Sequence, residues 1–310
     1  MRFSVIIPAR DEEDSVAELH AELVAVLERL GGGFEVIYVD DGSVDSTPAR
    51  LATLAADPRV RLIRFRANYG KSAAYSAGFA AARGEVVLTL DSDLQDDPAE
   101  IPGLLAALDE GFDLAVGWKQ HRLENEPAKT LPSRVFNGIK RLVFGLRLHD
   151  SNSGFRAMRR AVAAGLELRG DNYRFIPELA HAAGFRVTER RVAHRRRRFG
   201  RSKYGVTRFW TGVLDLVAVS FITRYGRKPL HFFGTLGLVP LLAGAGLEVY
   251  VLVRKLSGDL FSEHLAALIT GVMLILVGLQ LIATGLVGEM VAAGRRGPDY
   301  STIDDGKTGH

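Results

Sequence analysis

The sequence predicts an α/β domain built on a mostly parallel sheet, followed by two membrane-spanning helices. Three observations predict it. Short apolar runs alternate with helix-like stretches over residues 3–118, acidic or glycine-containing turns stand where those runs end, and two late segments are apolar throughout. Repeated strand and helix in that order gives a parallel sheet covered by helices. In such sheets ligands sit at the carboxyl ends of the strands.

The strands are expected at Ser4–Pro8, Glu35–Val39, Val60–Phe65, Val86–Leu90 and Leu114–Val116, with helices over 12–30, 46–56, 71–82 and 99–110. The first strand leads into Pro8-Ala9-Arg10-Asp11-Glu12-Glu13, the second into Asp40-Asp41-Gly42-Ser43 and the fourth into Asp91-Ser92-Asp93. Beyond residue 119 the pattern is less regular. A helix is expected through Ser133–Leu146, and Phe185–Phe199 reads as an extended segment ending in a basic run. The stretch Phe209–Ile222 reads either as an amphipathic helix lying on a membrane or as a helix packed on the soluble domain.

Segments 232–253 and 265–287 carry Glu248 and Gln280 as their polar outliers. Each is long enough to cross a bilayer core of ~30 Å. Arg224, Arg227 and Lys228 precede the first segment and Arg295 and Arg296 follow the second, whereas the connector Arg254–His264 mixes both signs. The expectation is a multi-pass protein of the inner (cytoplasmic) membrane with its N-terminal domain and both termini cytoplasmic. Because the sequence starts on a strand-like run, no signal peptide is expected. With no cysteines, disulfides and thiolate metal sites are excluded.

Four constellations bear on chemistry. Carboxylates crowded at a strand end repel one another unless a cation sits among them. Asp91 and Asp93 therefore point to a divalent ion holding a diphosphate, while Asp96 and Asp97 are assigned mainly to local structure, Asp97 as the cap of the next helix. Second, Gly70-Lys71-Ser72 is not a P-loop, because position 65 is Phe65 where that motif needs glycine. No Gly-x-Gly-x-x-Gly follows the first strand either. The loop instead opens a small-residue helix able to approach a nucleotide. Third, His149-Asp150-Ser151-Asn152-Ser153-Gly154-Phe155-Arg156 gathers an acid, small polar residues and an arginine in a turn. Fourth, eight Lys or Arg residues lie between Arg190 and Lys203, as a solvated face, a nucleic-acid patch or a surface for anionic headgroups and lipid phosphate.

Taken together, these residues resemble the GT-A, family 2 glycosyltransferases, and among them the membrane-anchored polyprenyl-phosphate (dolichyl-phosphate-type) branch. The matching residues are Val5-Ile6-Ile7-Pro8, Glu12-Glu13, Val39-Asp40-Asp41-Gly42-Ser43 with Asp45 and Thr47, Asn68-x-Gly70-Lys71, Ala77-Gly78-Phe79 with Ala82 and Gly84, Asp91-x-Asp93-Leu94-Gln95-Asp96-x-Pro98, Ser153-Gly154-Phe155-Arg156 and Gly200-x-Ser202-Lys203-Tyr204-Gly205. One departure is Asp11, where many members carry asparagine.

The resemblance implies a GT-A (Rossmann-like) catalytic domain over 1–205, a juxtamembrane amphipathic region over 206–229, a two-helix hairpin over 230–290 and a cytoplasmic tail over 291–310. It implies that Pro8, Ala9, Arg10, Glu12, Asp40, Asp41, Lys71, Asp91 and Ser92 bind a nucleotide sugar, UDP- or GDP-hexose. Asp91, Asp93 and Gln95 would hold Mg²⁺ or Mn²⁺. Arg134, Asp150 and Arg156, together with Arg195, Ser202 and Lys203, would meet the sugar and the acceptor phosphate, with Arg196, Arg197 or Arg198 as substitutes for Arg195. The implied reaction is inverting transfer of a hexose to polyprenyl phosphate. Asp150 would position the acceptor or sugar, or assist as a base, the first role being preferred. Self-association is left open, and no nucleic acid is expected as a partner. The competing readings are a processive polysaccharide synthase, whose Gln-x-x-Arg-Trp segment is missing here, and a non-catalytic membrane scaffold, which leaves the acidic strand ends unexplained.

Overall fold

The computed structural model describes residues 1–119, 140, 144–195, 219–221, 225 and 228–294. The chain divides into two compact units, Met1–Val219 and Ser220–His310.

In the first unit one sheet contains β1 (Phe3–Ala9), β2 (Phe34–Asp40), β3 (Val60–Arg64), β4 (Val86–Thr89), β5 (Leu114–Lys119), β6 (Arg156–Arg159) and β7 (Val187–Val192), in the order β3-β2-β1-β4-β6-β5-β7. All neighbouring pairs are parallel except those of β6, which runs antiparallel to both β4 and β5. The helices are α1 (Val16–Leu30), α2 (Thr47–Leu54), α3 (Lys71–Ala81), α4 (Ile101–Asp109), α5 (Arg160–Gly165) and α6 (Ile176–Ala182). The five expected strands and four expected helices are all present.

Strand β1 is buried on both faces. Phe3, Val5 and Ile7 enter one core with α1 and α4, and Ile6 enters the other with Ala74, Tyr75 and Phe79 of α3. Helix α1 buries Val16, Leu19, Leu23 and Leu27, the three- and four-residue spacing of one helical face. These two cores make the three layers of an α/β domain. The Asp97 carboxylate accepts from the backbone amide of Ala99 at 2.9 Å, opening a turn of 3₁₀ helix over Pro98–Glu100 ahead of α4. This is the capping role expected of Asp97.

In the second unit, α7 (Pro229–Leu256) and α8 (Leu265–Ala293) are antiparallel partners. Both are long and apolar enough to cross a membrane, and Leu242, Val253, Leu276 and Val287 are exposed on them. Glycines seven residues apart close the pair. A Cβ at Gly237 would lie 2.7 Å from the carbonyl oxygen of Gly278, and one at Gly244 would lie 2.6 Å from that of Gly271. Close backbone approach of this kind is the packing on which helices in lipid, with little apolar driving force between them, depend. The Glu289 carboxylate accepts from the Leu230 amide at 3.2 Å and so caps the first turn of α7. Most of the expected helices at Ser133–Leu146 and Phe209–Ile222, and the basic run beyond Arg195, lie outside the described residues.

Candidate active site

The acidic turns after β2 and β4 stand at the carboxyl ends of the two strands that flank β1, all three parallel. After β2, Asp40 Oδ1 accepts from the Ser43 amide at 3.0 Å, and its Oδ2 is 3.5 Å from Arg64 Nε. Asp41 Oδ1 accepts from the Tyr69 amide at 2.7 Å, and its Oδ2 accepts from the Gly70 amide at 3.0 Å. Gly42 between them has φ +70°, and a Cβ there would lie 2.5 Å from the carbonyl carbon of Ala67. Arg10, Asp40, Ser43, Arg64, Arg66 and Asn68 are among the residues lining a cavity of about 640 Å³ here.

The loop after β1 closes against the same turn. Asp11 has φ +53°, its Oδ1 accepts from the Val44 amide, and its own amide donates to Ser43 Oγ. Asparagine and aspartate are the side chains that tolerate this left-handed backbone. The departure at position 11 therefore keeps the geometry. Glu12 donates its amide to Thr47 Oγ1 at 2.8 Å and accepts from Ser15 Oγ at 3.0 Å. The Ala9 carbonyl accepts from the Asp41 amide. Of the residues expected around the nucleotide, Arg10 and Asp40 line the cavity, whereas Pro8, Ala9, Glu12 and Asp41 do not; Ala9, Glu12 and Asp41 brace its rim.

After β4 the partners are ammonium groups. Lys71, the first residue of α3, donates to Asp91 Oδ1 at 2.5 Å, and Tyr75 Oη lies 3.5 Å from the same oxygen. Lys119, the last residue of β5, is 2.5 Å from Asp96 Oδ1, both side chains being buried. Asp96 Oδ2 in turn accepts from the Asp91 amide at 3.4 Å. Burial alone would push the Asp91 carboxyl up, but the charges of Lys71 and Lys119 outweigh it and hold the group well below the usual carboxylate range. Asp96 moves the other way, raised by complete burial and by the neighbouring Asp91 despite Lys119. Burial pulls the Lys119 ammonium down, and the charges of Asp96 and Asp91 more than reverse this.

Asp93 and Gln95 flank Leu94, which takes φ +60° with its side chain 3 % exposed in the core. A branched residue held in that region is strained. The Gln95 amide donates to Asp93 Oδ1 at 3.2 Å. Gly154 packs on the other side of Asp91, where a Cβ would lie 2.8 Å from its Cγ, and Thr89 Oγ1 donates to the Gly154 carbonyl at 2.7 Å. Arg156 is fully buried. Its Nη2 donates to the Tyr173 carbonyl at 3.4 Å, and its Nε and Nη1 find no hydrogen-bond partner among the described residues. Asp91 and Tyr75 both feel its charge. Asp150 joins the same cluster through its charge on Lys119. Ser92 is buried beside Asp91.

Three expectations change. Lys71, expected with Pro8, Ala9, Glu12 and Asp40 among the nucleotide contacts, lies away from them on Asp91, at the other acidic turn. Asp96 is not a local structural residue but the buried partner of a lysine 23 positions later. Arg195 was expected at an acceptor phosphate, yet its guanidinium pairs with Glu22 at 2.7 Å and Asp97 at 2.9 Å, and its amide donates to the Gln95 carbonyl. Arg134, Ser202 and Lys203 lie outside the described residues. Lys119, Arg64 and Gly154 complete the site without having been singled out from sequence as site residues.

The family model described as "Glycosyl transferase family 2" matches residues 4–166. Dodecaprenyl-phosphate galacturonate synthase of Rhizobium johnstonii is 34% identical over 305 residues, covering 94% of this chain and 88% of that protein. Undecaprenyl-phosphate 4-deoxy-4-formamido-L-arabinose transferase of Salmonella paratyphi A is 34% identical over 293 residues, with the same two coverages of 94% and 88%. Among solved structures, glucosyl-3-phosphoglycerate synthase from Mycobacterium tuberculosis, in complex with Mn²⁺ and UDP-glucose, superposes with a TM-score of 0.56 at 21% identity over 72% of this chain and 78% of that one. That likeness shows the shared GT-A fold. The chain belongs to glycosyl transferase family 2, alongside relatives named as polyprenyl-phosphate sugar transferases.

Proposed function

We propose that this chain transfers a hexose from a nucleotide sugar, of the UDP-glucose or GDP-mannose type, to polyprenyl phosphate, with inversion and at the cytoplasmic face of a membrane. The observation that carries this reading is the Asp91 loop, with its reachable carboxylate and lysine, one strand away from a cavity lined by Asp40 and three arginines. Kinship along 94% of the chain to transferases that act on prenyl phosphates supports the acceptor.

In this reading the cavity at Arg10, Asp40 and Arg64 takes the base, since a carboxylate accepts from ring N–H groups and guanidinium donates to carbonyl oxygens. Lys71 meets the diphosphate. Asp91, Asp93 and Gln95 offer the hard oxygen donors that Mg²⁺ or Mn²⁺ prefers, and the Asp91 side chain is 27% exposed, open to a ligand. The ion supplies neutralisation of the charge that develops on the departing diphosphate. Arg156 and Lys119 are positioning residues that keep Asp91 and Asp96 ionically balanced below the site. A phosphate monoester has a second pKa of about 6, so the acceptor is largely a dianion at neutral pH and needs no strong base. Asp150 then orients acceptor or sugar. Helices α7 and α8 hold the enzyme at the bilayer, where a polyprenyl chain stays because burial is worth ~0.8 kcal/mol per CH₂.

The test is transfer of radiolabelled sugar from a panel of UDP- and GDP-hexoses to undecaprenyl phosphate by the full-length protein. Asp93→Ala is expected to lower transfer on the order of 10³-fold while leaving the melting temperature and membrane insertion unchanged. Undiminished transfer by that variant would refute the assignment.

A further inference from the structure

The loop after β4 carries two lysine–carboxylate pairs that differ in one respect. Lys119 and Asp96 are closed off, at 7% and 0% side-chain exposure, whereas Lys71 and Asp91 are 29% and 27% exposed at the same 2.5 Å separation. One pair is a fixture of the interior. The other can be opened by a ligand. Lys71 starts α3 directly after Gly70, whose φ of +88° turns the chain into the helix, and its ammonium lies 5.8 Å and 5.6 Å from the ring centres of Tyr75 and Tyr173. The stem is thus guided toward Asp91, while the head has room to leave.

Asp91 is also one of the carboxylates that would hold a divalent ion. A cation arriving alone has to compete with Lys71, and the displaced ammonium is left beside a second positive centre. A diphosphate removes that conflict, because it offers the ammonium a new anionic partner. The charges of Lys119 and Arg156 also act on Asp91. We propose that Lys71 is a resident counter-ion that Asp91 gives up only to an arriving nucleoside diphosphate, so that this chain binds a divalent cation tightly only together with the nucleotide. The inference rests on the metal site proposed above.

The experiment is titration of the full-length protein in detergent with Mn²⁺, following the electron paramagnetic resonance signal of free Mn²⁺, without nucleotide and with UDP or GDP. Wild type is expected to bind Mn²⁺ at least tenfold more tightly with the matching nucleotide than without. Lys71→Met keeps the stem between the two tyrosine rings and is expected to bind Mn²⁺ alone at least tenfold more tightly than wild type, while Lys71→Arg keeps the wild-type pattern. Melting temperatures of both variants report folding. Equal Mn²⁺ affinity of wild type with and without nucleotide overturns the proposal without recourse to any variant. Lys71→Met matching wild type in nucleotide-free Mn²⁺ affinity, with nucleotide-dependent binding retained, overturns it and leaves the metal site standing. Absence of Mn²⁺ binding by wild type under every condition removes the metal site and the proposal together.

Discussion

The two acidic turns on either side of β1 satisfy their carboxylates by different means. Asp40 and Asp41 accept from backbone amides of Ser43, Tyr69 and Gly70, whereas Asp91 and Asp96 are matched by the ammonium groups of Lys71 and Lys119. Amide donors are fixed by the chain and cannot turn to a ligand. A carboxylate so held, such as Asp41, is a structural clasp joining the loops after β2 and β3. A part-exposed ammonium on a four-carbon stem, as at Lys71, can be exchanged for another cation, so Asp91 remains available for chemistry, while Asp96 on the buried Lys119 does not. Residues of one type, at equivalent strand ends, are thereby divided between architecture and reaction.

The largest effect that separates the two turns should come from Asp41→Ala. It removes the acceptor for two amides in a site 6% exposed, at roughly 2–3 kcal/mol, and a melting-temperature fall of roughly 5–10 °C is expected. An unchanged melting temperature would erase the distinction. Gly154→Ala probes the other turn. Its methyl group must push Asp91 from its place, so transfer activity should fall about 10- to 100-fold, in the range of a misplaced catalytic group, with the melting temperature nearly constant. A loss of stability equal to that of Asp41→Ala would mean that Asp91 is a clasp as well.

The smallest effect sets the baseline for a part-exposed ion pair. Hydrogen bonds from the Arg59 side chain, and then from its backbone, hold Asp57 at about 2 against an ordinary 3.8. Because the folded value is the lower one, the stabilisation is complete above 3.8 and is lost as pH falls through about 2. Solvent screening keeps it under ~1 kcal/mol. Asp57→Asn should therefore cost little at neutral pH, and melting curves of the two proteins should converge as the pH approaches 2. A cost of several kcal/mol at neutral pH would show that solvent exposure does not set the scale here.

Much of this was legible in the sequence, because apolar runs and acidic turns are local signals. The strands β1 to β5 and the clustering of Asp40, Asp91 and Asp93 at their ends follow from those signals. Strand β6 did not, since Arg156–Arg159 has only Ala157 and Met158 as apolar residues and takes its burial from β4 and β5 on either side. Lys119 was missed for a related reason. A lysine ending a strand reads as solvated until Asp96 is known to reach it. Among Arg195–Arg198 the residues are chemically equal, and partners far away in sequence, Glu22 of α1 and Asp97, make Arg195 a structural ion pair.

The hairpin of the second unit also sets a vertical scale. Helix α7 has 28 residues and α8 has 29, about 42 Å at 1.5 Å per residue, against a hydrocarbon core of ~30 Å. Locked together by glycine contacts, the two cannot shorten independently, so in a bilayer of that thickness roughly two turns would stand in the headgroup layer or the pair would lean as one body. Tyr225, Phe232 and Phe233 form an aromatic knot with Phe221 at the start of α7, the kind of girdle that settles at that depth. Bilayer thickness would then set how far the first turns of α7 rise from the lipid, so that thinner or thicker membranes would tune this end of the enzyme without any change in its catalytic residues.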